Sequence, residues 1–280
     1  MRKGALFIVA TPIGNLEDIT LRALRVLKEV DLVAAEDTRH TAKLLSHFGI
    51  SRPMVSYWGE KEKVKAEAVM ARLLRGESVA LVSDAGTPGI SDPGAVLIRR
   101  ALEEGVSVVA IPGPSALVAA LGISGLPTEE FTFFGFSPSK KGERQRFLRE
   151  RALEPRTMVF YESPHRVVDT LVDMEEILGG GRRAAVIREL TKVHEEALRG
   201  TLSGVLDMMQ REGSVIAGEY VIVLEGKPPE AGRTLGEALE EVAALMKRGM
   251  GRKEAVRTVA GQYGLSRREL YQRSLGSPET

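Results

Sequence analysis

Short apolar segments alternate with longer amphipathic segments along most of this chain, and this alternation limits the possible folds more than any other feature. Segments 5–10, 32–35, 79–83 and 107–111 consist largely of Val, Ile, Leu and Ala. Runs of about four to six such residues between helical patterns are typical of buried strands in a sheet covered on both faces. The sequence therefore predicts an α/β fold with a mostly parallel sheet.

The same alternation continues in the middle of the chain, where segments 131–136, 157–161, 184–188 and 220–225 are predicted as strands. A segment containing proline and glycine, 226–232, follows the last of them. After this segment only helical patterns remain, which indicates a change of domain.

The chain is expected to divide into three parts. Residues 1–116 form an N-terminal α/β lobe, and residues 117–228 form a C-terminal α/β lobe. Residues 233–280 are predicted as a basic tail of three short helices. In this tail, Ser266 is expected to cap the last helix, because Glu269 stands three residues later in the position of a capping box.

The 280 residues contain no cysteine and only four histidines. The absence of cysteine excludes disulfides, thiolate metal sites and cysteine nucleophiles, and so few histidines predict that no metal is bound. No apolar run approaches the roughly 20 residues that a membrane-spanning helix needs. We therefore expect a cytoplasmic protein.

Three loops rich in glycine and proline follow predicted strands, at residues 10–16, 84–94 and 112–116. Ligands bind at the carboxyl ends of strands in open α/β sheets, and glycine lets the backbone approach them closely. One such loop is more often a simple turn, but three at one sheet edge favour a shared ligand site. The phosphate-binding motifs G-x-x-x-x-G-K-[ST] and G-x-G-x-x-G are absent, which disfavours a diphosphate cradle.

Seven motifs occur in order along the chain and carry a specific resemblance. They are ATPIGNLEDIT at 10–20, EDTRHT at 36–41, SDAGTPGISDPG at 83–94, IPGPSA at 111–116, FYESPHR at 160–166, RELTKVHEE at 188–196 and GEYVIVLEG at 218–226. Together they resemble the tetrapyrrole (corrin/porphyrin) methylase superfamily and, within it, the branch of ribosomal RNA small subunit methyltransferase I. The helical tail resembles the extra domain of that branch.

This resemblance implies a two-lobed, class III methyltransferase fold with a cofactor cleft between the lobes, S-adenosyl-L-methionine as cofactor and a homodimer. Members of the branch methylate the ribose 2′-hydroxyl of a cytidine in the decoding region of small-subunit (16S) rRNA. The resemblance also implies cofactor contacts at the residues that match the motifs: Pro12, Ile13, Asp84, Thr87, Ser115, Ala116, Tyr161 and Leu190.

Methyl transfer to a ribose hydroxyl requires an aligned acceptor and a group that helps to remove the hydroxyl proton. The expected catalytic residues are Glu162, His165, Arg166, Asp37 and Arg39. Each of them also has a structural interpretation. His165 is equally consistent with a helix cap, and Arg39 with an ion pair on a solvated surface.

Two segments are strongly basic although the whole chain has a net charge of only +1. Segment 140–156 has seven basic and three acidic residues, and segment 247–273 has eight basic and two acidic residues. One charge-rich helix is usually a solvated surface, but two favour contact with RNA phosphates. The expected RNA-binding residues are Lys140, Lys141, Arg144, Arg252, Lys253, Arg267 and Arg268.

Three functions remain open from the sequence. The first is an RNA ribose methyltransferase that acts on small-subunit rRNA or on the small ribosomal subunit. The second is a methylase of a tetrapyrrole small molecule, an enzyme type that generally lacks a basic tail. The third is a non-catalytic RNA-binding assembly factor that keeps the same fold. The basic tail favours the first.

Overall fold

The apolar runs form two separate five-stranded sheets in the computed structural model, which describes residues 3–57, 62–92, 94–211, 216–227, 235–263 and 265–275. The strands are β1 Ala5–Val9, β2 Leu32–Ala35, β3 Met54–Ser56, β4 Val79–Val82, β5 Ser107–Ile111, β6 Phe131–Phe136, β7 Thr157–Glu162, β8 Arg183–Arg188, β9 Glu196–Thr201 and β10 Tyr220–Leu224. The helices are α1 Leu21–Glu29, α2 Thr38–His47, α3 Glu62–Leu74, α4 Ala95–Glu103, α5 Ala116–Ser124, α6 Lys141–Arg149, α7 Val167–Leu178, α8 Leu202–Gln210, α9 Leu235–Lys247, α10 Arg252–Tyr263 and α11 Arg267–Leu275.

The first sheet is parallel throughout, with the strand order β3-β2-β4-β1-β5. Every residue of β2 and β4 is buried, because helices cover both faces of the sheet. Side chains of α1 and α2 pack on one face, and those of α3 and α4 pack on the other. This confirms the predicted arrangement for the N-terminal lobe. Within this first sheet, β3 is the one strand that was not predicted, because its three residues are too few to show a pattern.

The second sheet has the order β6-β7-β10-β8-β9 and differs from the prediction. Only β6 and β7 run parallel, while the other neighbouring strands run antiparallel. An apolar run shows that both faces of a strand are covered, but not the direction of its neighbours. Strand β9 also escaped prediction, because its sequence EALRGT is largely exposed at the edge of the sheet.

Helix α5 follows the last strand of the first sheet but packs against the second sheet. Its Ala120 and Leu121 lie in one core with Val159 and Val223. Ile13, from the loop after β1, joins the same core. The carboxyl ends of the first sheet therefore face the second sheet across a cleft.

The three helices α9, α10 and α11 pack around a small core of their own. Val242, Val259 and Leu270 are almost fully buried in it. The backbone N–H of Glu269 donates to Ser266 Oγ at 3.4 Å, which confirms the predicted cap of the last helix. None of the helices in the described part of the chain has the length and apolar character that a bilayer crossing requires.

Candidate active site

The three glycine- and proline-rich loops meet the second sheet around a cavity of about 390 Å³. A concave site at strand carboxyl ends and between two lobes is where α/β proteins place their ligands. Pro12 does not itself line the cavity among the described residues. The other residues expected to contact a cofactor do line it: Ile13, Asp84, Thr87, Ser115, Ala116, Tyr161 and Leu190.

Hydrogen bonds hold the three loops to one another. The backbone groups of Thr11 and Gly86 exchange two hydrogen bonds, of 2.9 and 3.0 Å. Gly86 has φ +79°, a backbone conformation that favours glycine, and it lies within van der Waals reach of Ile13 in the first loop. Thr87 Oγ1 donates to the carbonyl oxygen of Pro114 at 3.3 Å. The floor of the cavity is therefore fixed before any ligand binds.

Three carboxylates, those of Glu36, Asp84 and Asp92, form an acidic wall of the cavity. The backbone N–H of Asp84 donates to Glu36 Oε2 at 3.2 Å, and Asp84 Oδ1 accepts from the backbone N–H of Asp37 at 3.0 Å. Burial raises the pKa of Glu36. Burial, and then the charge of Glu36, raise the pKa of Asp92 to about 6. Such a wall favours a cationic ligand, or a proton on Asp92 when no ligand is present.

Asp92 was not among the predicted site residues. It stands eight positions after Asp84 in the same loop motif, SDAGTPGISDPG. The second aspartate of that motif was the available signal, but an aspartate before a proline is also typical of a turn. Only the folded loop brings Asp92 back to the cavity. The described residues contain no group of three or more His, Asp or Glu side chains arranged to hold a metal ion.

Glu162 lies at the cavity but has no free acceptor capacity for a proton transfer. Its side chain is completely buried and forms a 2.6 Å ion pair with Arg166. Its Oε2 accepts from Ser137 Oγ at 2.5 Å and from Thr170 Oγ1 at 2.8 Å, and its Oε1 accepts from the N–H of Ser163 at 2.8 Å. The carboxylate therefore anchors the ends of β6 and β7 to helix α7.

The other predicted catalytic residues lie outside the cavity lining in the described chain. His165 is exposed, and Arg166 stands behind Glu162 as its partner. Asp37 and Arg39 form a 2.6 Å ion pair in which the Arg39 side chain is 88% exposed. Hydrogen bonds from Arg39 lower the pKa of Asp37 to about 2. The geometry thus supports the structural interpretation of this pair.

The basic segment 140–156 offers fewer cations to solvent than its sequence indicates. Lys140 and Lys141 are exposed at the start of α6, although Lys140 lies 3.3 Å from Glu143. The prediction that Arg144 binds RNA is wrong, because its side chain is 4% exposed and pairs with buried Asp173 at 2.6 Å. A charge count along the sequence does not separate such internal cations from exposed ones.

The tail presents its cations along a shallow groove between α10 and α11. Lys253, Arg257, Arg267 and Arg268 line this groove. Lys253, Arg267 and Arg268 are exposed, as their predicted contact with RNA requires. Arg252 is partly exposed and does not belong to the groove lining in the described chain.

Two family models match this chain. The model of the tetrapyrrole (corrin/porphyrin) methylases matches residues 5–206, and the model of the RsmI C-terminal HTH domain matches residues 225–277. The first therefore covers both lobes as far as α8, and the second covers the tail.

Solved structures share the fold of the two lobes. The methyltransferase CobJ aligns with a TM-score of 0.59 and 19% identity, covering 80% of this chain and 95% of that one. Uroporphyrin III C-methyl transferase from Thermus thermophilus aligns with a TM-score of 0.55 and 21% identity, covering 80% of this chain and 98% of that one. The described architecture is thus that of the tetrapyrrole methylases.

Curated relatives match over almost their full lengths. The ribosomal RNA small subunit methyltransferase I of Synechocystis is 46% identical, covering 97% of this chain and 98% of the relative. The proteins of that name from Xylella fastidiosa and Pseudomonas aeruginosa are 46% and 44% identical, covering 96% and 98% of this chain and 98% of each relative. The chain therefore belongs to the tetrapyrrole methylases and, within them, to the ribosomal RNA small subunit methyltransferase I family.

Proposed function

We propose that this chain is an S-adenosyl-L-methionine-dependent methyltransferase that modifies the ribose 2′-hydroxyl of a cytidine in small-subunit (16S) rRNA. The observation that carries the proposal is the acidic cavity where the loops of both lobes meet. The names of the relatives, at 42–46% identity over nearly the whole chain, support rRNA as the substrate class.

The cavity residues fit this cofactor. The carboxylates of Glu36, Asp84 and Asp92 suit a ligand with a sulfonium and an ammonium cation. The N-terminus of α5 follows Ser115, whose side chain forms no cap hydrogen bond there, and such a terminus suits a carboxylate.

The bound cofactor supplies an activated methyl group, and the chain must orient the acceptor and take up its proton. We assign proton uptake to a carboxylate oxygen of Asp92, because its raised pKa of about 6 makes it a better base than an ordinary aspartate. Tyr161 faces it from the second lobe, and burial raises the pKa of its hydroxyl. Glu162 and Arg166 act as positioning residues. Contacts of Asp37, Arg39 and His165 with the substrate stay predictions.

Contacts with RNA are assigned to the exposed cations of both basic segments. Lys140 and Lys141 stand at the start of α6, four and five residues after cavity-lining Phe136. Lys253, Arg267 and Arg268 line the groove of the tail, and Arg252 begins α10 nearby in sequence. Exposed cations that neutralise phosphates give an affinity that falls with salt and depends little on sequence.

The remaining assignments follow from the substrate class. We propose that residues 1–116 and 117–228 act as the two lobes of the cofactor cleft and residues 233–280 as the RNA-binding tail. We also propose that the chain works in the cytoplasm, because bacterial relatives are named for ribosomal RNA, which bacteria assemble there. The homodimer that the family resemblance implies is part of the same proposal.

The decisive experiment offers radiolabelled cofactor with four acceptors: unmodified small ribosomal subunits, naked small-subunit rRNA, a tetrapyrrole and no acceptor. We expect label in RNA, with the modified nucleotide mapped by resistance of its 3′ phosphodiester to alkaline hydrolysis. Transfer to the tetrapyrrole alone would replace the proposal with a small-molecule methylase. Cofactor binding without transfer to any acceptor would favour a non-catalytic assembly factor.

A further inference from the structure

Phe136 presents an exposed aromatic ring at the mouth of the cavity. The residue lines the cavity and is 54% exposed. Its ring centroid lies 5.7 Å from that of Tyr161, in an edge-to-face arrangement. Tyr161 is held in turn, because its hydroxyl oxygen accepts a hydrogen bond from the N–H of Leu117 at 3.1 Å. One side of the Phe136 ring therefore rests on a fixed neighbour, and the rest is open to a ligand.

The backbone before Phe136 is bent in a way that places this ring at the cavity. The pairing of β6 with β7 shifts register between Phe133 and Phe136, and Gly135 has φ +64°. A Cβ on Gly135 would lie 2.9 Å from Ser91 Oγ, so β6 touches the first-lobe loop that also carries Asp92. Irregularities of this kind commonly redirect a side chain beside an active site.

The backbone after Phe136 is held equally firmly. Ser137 is buried and donates from Oγ to Glu162 Oε2 at 2.5 Å, while its carbonyl oxygen accepts from Arg166 at 3.3 Å. A ring on a rigid backbone loses little conformational entropy when it binds a partner. Exposed Lys140 and Lys141 follow a few residues later, at the start of α6. Two exposed cations thus follow the aromatic ring within five residues along the chain.

We propose that Phe136 is a positioning residue that stacks on an unpaired base of the RNA substrate, next to the ribose whose hydroxyl enters the cavity. This inference rests on the proposed function. Proteins recognise RNA loops by stacking unpaired bases on aromatic side chains, and they hold the adjacent phosphates with cations. A stacked base fixes the sugar attached to it, so the stack orients the acceptor relative to Asp92.

The test compares F136L and F136W with a control on the same strand, F131L. Phe131 is 42% exposed but is not among the residues that line the cavity. We would measure kcat and KM for methyl transfer to unmodified small ribosomal subunits, and the Kd of S-adenosylhomocysteine. F136L should lower kcat/KM at least roughly ten-fold, the effect of losing one stacked base. F136W should keep kcat/KM near the wild-type value, and F131L should match the wild type.

The S-adenosylhomocysteine Kd should stay the same in all three variants, since the proposed stack involves RNA alone. Wild-type kcat/KM in F136L overturns the inference while the proposed function stands. A parallel loss of S-adenosylhomocysteine affinity also overturns it, because Phe136 would then contact the cofactor. An equal loss in F131L does the same. If the wild-type chain transfers no methyl group to RNA, the proposed function fails and this inference fails with it.

Discussion

Arg144 and Asp173 form an ion pair of 2.6 Å in which both side chains are almost completely buried. The pair joins α6 to α7, and Gln145 donates to the second oxygen of Asp173 at 2.9 Å. A cation used in this way is not available to a phosphate. Substitution of an internal cation should therefore affect stability, and substitution of an exposed cation should affect RNA binding.

Replacing Arg267 and Arg268 with alanine should weaken binding of small-subunit rRNA. Each lost phosphate contact should also reduce the slope of log K against log salt by about 1. By contrast, Arg144→Met should leave that slope unchanged and lower the free energy of unfolding by roughly 3–5 kcal/mol, because Asp173 stays buried without its partner. Filter binding over a range of KCl concentrations and urea denaturation measure the two effects. An equal change of slope in Arg144→Met would contradict this assignment.

Asp92 should control the acidic limb of the pH–rate profile. A base works only when it is deprotonated, so kcat/KM should rise with pH and level off above the Asp92 pKa of about 6. Asp92→Asn should remove that limb and slow transfer by about 10²–10⁴-fold. Asp207, exposed on α8, offers a matched control, and Asp207→Asn should keep the wild-type profile. An unchanged limb in Asp92→Asn would exclude Asp92 as the base.

Asp92 should also make the free protein less stable at neutral pH than at acidic pH. Its pKa is raised from 3.8 to about 6 on folding, so the unfolded chain ionises first as the pH rises. The contribution to stability is complete below pH 3.8 and is lost as the pH passes about 6. Asp92→Asn should gain stability relative to the wild type over this window, by on the order of 1 kcal/mol after solvent screening. Urea denaturation at fixed pH values checks this, and a constant difference would contradict it.

Glu162 should matter for stability far more than an exposed glutamate. Glu162→Ala removes the partner of Arg166 and leaves the buried hydroxyls of Ser137 and Thr170 without their acceptor. We expect the free energy of unfolding to fall by roughly 3–5 kcal/mol. The matched control is Glu143→Ala, whose exposed pair with Lys140 should contribute less than about 1 kcal/mol. Similar losses in the two variants would show that Glu162 is not an anchor.

Much of the fold followed from local patterns in the sequence. Short apolar runs between helical patterns identified β2, β5 and β6 to the residue, because branched and aromatic side chains fit the pleated surface of a sheet. The glycine- and proline-rich loops located the cavity, since a parallel sheet must bring the carboxyl ends of its strands to one edge. The motif resemblance then named residues such as Ile13 and Leu190, which do line it.

Other properties depended on contacts between distant segments. The antiparallel pairing of β8 and β10, the burial of Arg144 beside Asp173, and the raised pKa of Asp92 have no signal in any short window of sequence. Local sequence patterns were sufficient for most strands, helices and loops, because those states depend largely on neighbouring residues, but not for the short β3 and the exposed edge strand β9. Only the tertiary structure decided which charged groups are buried, paired or free to react, because desolvation and Coulomb energies depend on groups that lie far apart in the chain.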